Sequence, residues 1–184
     1  IGSVRIAQKI GIDKFKSFLN ELGITDKIEF DIEEVGTPLP FNWGKCKLAT
    51  TSFGHGITTT PLQLSKAYAI ISNGGYLITP TLLKQENFNK YNKNKILNEG
   101  ISLKVNSALR KVVSSKDGTA GFADIPGYEV GGKTGTAQKT LQGKYSKEKV
   151  NTFVAVFPSN NPKYVLLVLL DEPKVNKEYV YNYR

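Results

Sequence analysis

Residues 131–136 of the chain read Gly131-Gly132-Lys133-Thr134-Gly135-Thr136, and this stretch decides between the folds that the sequence allows. It is the one segment in which small residues, a cation and two hydroxyl groups coincide. Glycines inside a strand often mark the close approach of another backbone, so the stretch has a purely structural interpretation. Two other interpretations give it chemistry, as a phosphate-binding loop or as a strand beside a catalytic cleft, and these require different folds.

The phosphate-loop interpretation rests on Gly127 to Thr134, which match the pattern of Gly, four residues and Gly-Lys-Thr. A phosphate loop must follow a buried strand and open into a helix whose first amides hold the phosphates. The upstream residues Asp117 to Phe122 do not form a buried strand, and the segment after Thr134 lacks an apolar period of 3.6 residues. The sequence therefore disfavours a nucleotide site.

The third interpretation is the Lys-Thr-Gly element of serine enzymes that transfer acyl groups from D-alanyl peptides or β-lactams. Lys133 would bring a fixed positive charge beside the nucleophile, and the hydroxyls of Thr134 and Thr136 would bind a terminal carboxylate. Gly135 would let the substrate backbone approach, and the amide N–H of Thr136 would serve as an oxyanion donor. This chemistry needs an edge strand rather than a helix N-terminus.

Hydrophobic periodicity around this stretch predicts an antiparallel sheet flanked by helices, an α/β fold of the α+β kind. Three consecutive strands with short connections imply a meander. The predicted strands are Tyr128–Ala137, Thr152–Phe157 and Tyr164–Leu170. Helices are predicted over Val4–Ile10, over Phe15–Leu22, from Pro61 with Thr60 as cap until Asn73-Gly74-Gly75, and over Ser102–Ser114. Irregular structure is predicted for Ile28–Leu48, a small-residue turn for Thr50–Gly56, and an exposed, mobile segment for Gln85–Asn98.

Composition excludes several classes of function. The formal charge is +9, from 25 basic and 16 acidic residues, but the basic residues are dispersed and form no stripe alternating with aromatics, so we expect no nucleic-acid partner. Cys46 and His55 are the only residues of their types, which excludes an intrachain disulfide and a Cys/His zinc cluster. No apolar run is long enough to cross a bilayer, so any membrane anchor must lie outside these 184 residues.

Three stretches together resemble the transpeptidase domain of class B penicillin-binding proteins, most of all the septal, division-specific type. They are Thr51–Leu64 (TSFGHGITTTPLQL), Gly132–Gln138 (GKTGTAQ) and Leu170–Lys174 (LDEPK). The similarity covers nearly the whole chain, in family order, and it implies a transpeptidase or serine β-lactamase-like fold, here incomplete.

The resemblance implies that residues 1–184 are the C-terminal portion of the domain. The opening Ile1-Gly2-Ser3-Val4 resembles the helix that follows the Ser-x-Asn motif, so we expect that motif and the nucleophilic Ser-x-x-Lys motif upstream of Ile1. The final helix that covers the sheet is also expected to be missing after Tyr181. An uncovered sheet face would lower stability or promote association.

The resemblance also implies an activity and its partners. The intact protein would be a serine D,D-transpeptidase of the bacterial inner membrane, with this domain in the periplasm, which cross-links peptidoglycan stem peptides and binds penicillins covalently. Division and cell-wall synthesis proteins would be partners, and the chemistry requires no metal or organic cofactor. Within this chain, Lys133 and Thr136 would be catalytic, and Lys133, Thr134, Gly135 and Thr136 would contact substrate.

Two chance matches to the family motifs are rejected. Ser146-Lys147-Glu148-Lys149 fits Ser-x-x-Lys, but it is predicted to lie in a charged loop, whereas an activated serine needs a buried helix start. Ser159-Asn160-Asn161 fits Ser-x-Asn, but it precedes Pro162 as part of a turn.

Three alternatives stay open. A D,D-carboxypeptidase or a β-lactamase would share Lys-Thr-Gly but pass the acyl group to water. A non-catalytic module that binds partners in the division machinery is an alternative of another class. We expect the 184 residues alone to be inactive, because they carry no nucleophile.

Overall fold

The computed structural model describes residues 1–40, 42–84, 94–141 and 144–174. Five helices precede a short 3-10 turn and three strands. The helices are α1 (Gly2–Ile10), α2 (Ile12–Glu21), α3 (Lys45–Thr51), α4 (Pro61–Ser72) and α5 (Glu99–Ser114). The 3-10 turn is Gly121–Ala123, and the strands are β1 (Gly131–Leu141), β2 (Lys144–Phe157) and β3 (Tyr164–Asp171). The helices other than α3 and the three strands confirm the predicted elements, with ends that differ by a few residues.

The chain divides into two compact units, Ile1–Ser107 and Ala108–Arg184, and the boundary falls inside α5. The sequence analysis assigns all 184 residues to a portion of one domain and does not predict this division. Each unit has its own core. Leu22, Ile24, Ala67 and Ile70 form the first core, and Val113, Ala120, Val130 and Ala155 form the second. None of the described helices is long and apolar enough to cross a membrane.

Helix α4 begins with the predicted cap. The Thr60 hydroxyl accepts a hydrogen bond from the Gln63 amide, and the Gln63 side chain accepts one from the Thr60 amide, so the two residues form a reciprocal capping box. Gln63 is fully buried, and its Nε2 donates to the carbonyls of Gly23, Ile24 and Asp26. The Gln63 side chain therefore caps the N-terminus of α4 and also binds the backbone of the segment that follows α2.

The strands form the predicted antiparallel meander, in the order β1-β2-β3. Gly131 pairs with Val156 and Thr136 with Asn151, and β2 then pairs with β3 from Val150 opposite Asp171 onward. The apolar side chains of Leu166, Val168 and Leu170 on β3 are 44–53% exposed. Because residues two apart share a face of a strand, these three leave one apolar face of β3 exposed among the described residues.

Three predictions need correction or fall outside the described part. Lys45–Thr51 form helix α3, where irregular structure and a turn were predicted. Ser146–Lys149 lie within β2, not in a loop, because the β1–β2 hairpin pairs on both sides of them, at Tyr145 and at Lys149. Within the predicted mobile segment Gln85–Asn98, residues 85–93 lie outside the described residues, and Tyr76 pairs with Lys95 in an isolated bridge.

Candidate active site

The Lys-Thr-Gly element lies in the first half of β1, at the edge of the sheet. Lys133, Thr134 and Gly135 pair with Val154, Phe153 and Thr152 of β2. No described strand pairs with the opposite side of β1. Its backbone groups therefore face away from the sheet along one side, which is the arrangement that an extended peptide substrate can join.

This placement excludes the phosphate-loop interpretation. Lys133 and Thr134 are internal residues of an 11-residue strand, and the strand continues to Leu141. A phosphate loop needs a helix N-terminus directly after its lysine, because the first helical amides bind the phosphates. The described residues also contain no group of three or more His, Cys, Asp or Glu side chains that could hold a metal ion.

The glycines of this segment are explained by close neighbours. A Cβ on Gly132 would lie 2.6 Å from both the Phe153 ring and the carbonyl oxygen of Val154, and a Cβ on Gly131 would lie 3.0 Å from the amide nitrogen of Arg110 in α5. A Cβ on Gly135 would lie 2.6 Å from the Thr152 hydroxyl. Close packing therefore explains why these positions are glycines. It leaves the chemical role of the residues between them open.

Thr134 and Thr136 are two residues apart on a strand, so their side chains project from the same face of β1. Asn151, directly opposite Thr136, shares that face. Its Oδ1 atom is buried and accepts no hydrogen bond from the described residues. The sequence analysis did not single out Asn151, because only the strand register brings it beside Thr136.

Lys133 is exposed, and its Nζ donates a hydrogen bond of 2.7 Å to the carbonyl oxygen of Thr134. The ammonium group is thus folded back along its own strand. Within the described part of the chain no acidic side chain forms an ion pair with Lys133, so its positive charge can meet an anionic ligand.

Thr119 was missed by the sequence analysis. Its hydroxyl oxygen lies 3.2 Å from that of Thr134. The backbone fixes Thr119 from both sides. The Gly118 amide donates to the Ser115 carbonyl, and the Ala120 amide donates to the Val112 carbonyl, with Ala120 itself buried in the core of the unit. Thr119 is 15 positions before Thr134, so only the tertiary fold reveals the contact.

An ion cluster holds the other end of β1. Lys139 lies 2.9 Å from a carboxylate oxygen of Asp171, the last residue of β3, and 2.6 Å from one of Glu172, which follows it. Hydrogen bonds to Glu172 and Asp171 raise the pKa of Lys139 above its ordinary value. Since β2 lies between β1 and β3, the cluster spans the width of the sheet.

A lysine, two hydroxyls and an edge backbone along one strand can bind a carboxylate and an extended acyl donor. The described residues of this strand offer no activated nucleophile. Ser146, which fits the Ser-x-x-Lys spacing, lies in β2 with Lys149 three residues along an extended chain. An activated serine needs a helix start that holds serine and lysine together, and a strand with irregular pairing at this point does not provide one.

Comparison with known proteins agrees with this geometry. Residues 1–183 match the penicillin-binding protein transpeptidase domain family. The chain is 34% identical to a probable peptidoglycan D,D-transpeptidase FtsI of Caulobacter vibrioides and 33% identical to stage V sporulation protein D of Bacillus subtilis, over 96% and 94% of its length. It spans 31% and 29% of those two proteins.

Solved structures give the same result. The apo transpeptidase domain of Burkholderia pseudomallei penicillin-binding protein 3 matches with a TM-score of 0.87 and 29% identity, covering 94% of this chain and 53% of that one. Mycobacterium tuberculosis penicillin-binding protein 3, complexed with aztreonam, matches with a TM-score of 0.85 and 25% identity, covering 94% and 43%. The predicted fold class and family are both confirmed. With a family match over nearly all its residues and Lys-Thr-Gly on an edge strand, the chain belongs to the penicillin-binding protein transpeptidase domain family, in the class B branch that includes FtsI and penicillin-binding protein 3.

Proposed function

We propose that the protein containing this chain is a peptidoglycan D,D-transpeptidase, and that residues 1–184 supply the substrate-binding side of its cleft. The observation that carries the proposal is the edge strand β1, which presents Lys133 and the same-face pair Thr134 and Thr136 beside backbone groups that no described strand uses. The nucleophilic serine would come from the Ser-x-x-Lys segment that we expect upstream of Ile1.

The proposed reaction has two steps. The serine oxygen attacks the carbonyl carbon of the penultimate D-alanine and gives up its proton to a base, and the peptide C–N bond breaks. The terminal D-alanine leaves with that proton on its amine. An amine from a neighbouring stem peptide then attacks the ester carbonyl, which forms the cross-link, and the proton that this amine loses returns to the serine oxygen.

Each residue of the Lys-Thr-Gly segment has a separate role in this proposal. The hydroxyls of Thr134 and Thr136 donate hydrogen bonds to the terminal carboxylate of the donor, and the Lys133 ammonium adds a favourable charge. The Thr136 amide donates to the oxyanion of the tetrahedral intermediate. Gly135 has no side chain that would block the donor peptide where this peptide lies along β1. Penicillins would enter the same site, because they carry a carboxylate beside a reactive acyl group.

The relatives support this substrate class. Mycobacterium tuberculosis penicillin-binding protein 3 has been solved with aztreonam and with ampicillin bound. We extend β-lactam binding to the present protein on the strength of the shared fold. A location at the outer face of the inner membrane and partners among division and cell-wall synthesis proteins belong to the same proposal.

Labelling with a fluorescent penicillin tests the proposal. The full-length protein should form a covalent adduct, and the 184-residue chain alone should form none. Replacing Lys133 with Ala in the full-length protein should suppress labelling by at least about tenfold, that is by more than about 1.4 kcal/mol in the barrier. Lys163→Ala, at another exposed lysine of the same unit, should label as wild type. A covalent band on the 184-residue chain, or full labelling of Lys133→Ala, would contradict the proposed roles.

Product analysis separates the enzymatic alternatives. A transpeptidase yields cross-linked dimers from two stem peptides, whereas a carboxypeptidase yields the trimmed peptide alone. A β-lactamase would hydrolyse its acyl-enzyme rapidly, so it would release hydrolysed penicillin and the covalent label would disappear. A full-length protein that neither labels nor cross-links would instead support the non-catalytic, partner-binding alternative.

A further inference from the structure

Two loops of the first unit are joined by a single carboxylate. Asp31 accepts hydrogen bonds from the Thr81 hydroxyl, at 2.7 Å, and from the Leu82 amide. The Leu83 amide then donates to the Thr81 hydroxyl at 3.0 Å. These bonds tie the segment before α3 to the segment that follows α4.

The joined loops expose large apolar side chains. Leu82 and Leu83 are 69% and 68% exposed, and Ile32, beside Asp31, is 45% exposed. Single exposed leucines are common in soluble proteins, but here the bonds to Asp31 bring two adjacent leucines close to the residue that precedes Ile32. We call Ile32, Leu82 and Leu83, with the loops that carry them, the Asp31 surface.

The Asp31 surface rests on a fixed base. Ile28 is 5% exposed, and just before it the carbonyl of Asp26 accepts a hydrogen bond of 2.6 Å from the buried Gln63 side chain. An open groove of about 760 Å³ runs along residues 27–33 and Val35. A partner would therefore meet a surface that is already formed, which lowers the entropy cost of binding.

Charge identifies the kind of partner. Five of the chain's 16 acidic residues fall between positions 26 and 34, against one lysine in that segment; they are Asp26, Glu29, Asp31, Glu33 and Glu34. The chain as a whole has a charge of +9, so this acidic segment is opposite in sign to the rest of the molecule. Hydrogen bonds from Thr81 and Leu82 lower the pKa of Asp31, which keeps it ionised at neutral pH.

We propose that the Asp31 surface docks a short basic, amphipathic peptide segment of another protein. Its Leu or Ile side chains pack on Ile32, Leu82 and Leu83, and its Lys or Arg side chains face Glu29, Glu33 and Glu34. The inference does not depend on the proposed transpeptidase activity, because it concerns a surface of the first unit and the Lys-Thr-Gly strand lies in the second.

Selection from a random peptide library displayed on phage tests the proposal, with the full-length protein as bait. The library is counter-selected against the double variant Leu82→Ser, Leu83→Ser, so only peptides that need the two leucines survive. Affinities of the recovered peptides are then measured for a charge variant, Glu29→Gln, Glu33→Gln, Glu34→Gln. The matched control neutralises three exposed carboxylates of the second unit: Asp117→Asn, Glu129→Gln and Glu148→Gln.

The expected result is a set of peptides rich in Lys, Arg, Leu and Ile. Their Kd should rise about tenfold in the charge variant, corresponding to roughly 1.4 kcal/mol, and stay unchanged in the control. Recovery of no discriminating peptide, or of acidic or uncharged ones, would overturn the proposal. Analytical ultracentrifugation measures whether the protein forms a dimer through this surface. If the chain forms a dimer that Leu82→Ser, Leu83→Ser abolishes, the occupant is a second copy and the proposed partner is wrong.

Discussion

The hydroxyl oxygens of Thr119 and Thr134 lie 3.2 Å apart, and this contact joins the loop after α5 to the strand that carries Lys133. A hydroxyl has one proton and two acceptor lone pairs. If Thr119 donates to Thr134, the Thr134 proton is free to point at a ligand carboxylate. Thr119 is thus a positioning residue for the proposed carboxylate site.

Replacing Thr119 with Val tests this function, because valine keeps the shape and removes the hydroxyl. In the full-length protein we expect acylation by an anionic penicillin to slow about fivefold, on the order of 1 kcal/mol for one lost hydrogen bond. Thr119→Ser should restore the rate. A penicillin methyl ester, which has no anionic carboxylate, should react equally with wild type and Thr119→Val. A rate loss of equal size for the ester would indicate a structural role only.

The second prediction concerns the tight packing under β1. Gly132→Ala places a Cβ about where the Val154 carbonyl oxygen already lies, at 2.6 Å, and backbone cannot move aside as a flexible side chain can. We expect a loss of roughly 1–3 kcal/mol in the free energy of unfolding, measured by urea denaturation. Gly100→Ala is the matched control, since its nearest atom is the Asn98 Oδ1 at an ordinary 3.5 Å. That variant should be neutral or slightly more stable, because alanine favours a helix. Equal stability of Gly132→Ala and wild type would refute the packing argument.

Much of the fold follows from local sequence, and the elements that the sequence analysis missed have physical reasons. Thr60 with Pro61 predicts the start of α4, because cap and first-turn preferences are intrinsic to those residue types. Helix α3 was missed because Lys45–Thr51 contains β-branched threonines and follows a glycine, and because seven residues show too little periodicity. The charged start of β2 was missed because its strand form depends on pairing with β1.

Some residues of the candidate site can likewise be predicted from the sequence, and others are found only in the folded structure. Lys133, Thr134, Gly135 and Thr136 are contiguous, so their residue types alone suggest the chemistry. Thr119 and Asn151 reach the same segment only through a loop fixed on α5 and through the strand register. No spacing in the sequence encodes those contacts.

The third prediction separates the two functions of Gln63. Thr60→Ala removes only the cap and should cost about 1 kcal/mol of unfolding free energy. Gln63→Leu keeps the volume but leaves the Thr60 amide and three carbonyls without their partner, and we expect a loss of about 3 kcal/mol. Gln63→Glu keeps the acceptor for Thr60 but cannot donate to the carbonyls when ionised. It should therefore resemble Gln63→Leu, and a cost as small as that of Thr60→Ala would show that the carbonyl contacts contribute little.

The fourth prediction is a pH dependence at Asp31. Hydrogen bonds from Thr81 and Leu82 lower its pKa below the ordinary 3.8 in the folded chain. A carboxyl whose pKa is lower in the folded state binds its proton more readily when unfolded. Its stabilising effect is therefore complete above the unfolded pKa and is lost as the pH falls through the folded one. Asp31→Asn removes this titration. The difference in melting temperature between wild type and Asp31→Asn should be constant near neutral pH and shrink below about pH 4.

A control keeps this pH measurement specific. Asp117→Asn changes an exposed carboxyl that forms no side-chain hydrogen bond or ion pair with the described residues, so the melting temperature of this variant should follow wild type through the same acid range. Because Asp31 joins the two loops of the Asp31 surface, acid should also loosen that surface before the chain unfolds. Amide exchange at Leu82 and Leu83 should then rise in wild type as the pH falls, after correction for the intrinsic exchange rate. Exchange that stays unchanged while the melting temperatures converge would mean that the carboxylate stabilises the chain without holding the loops together.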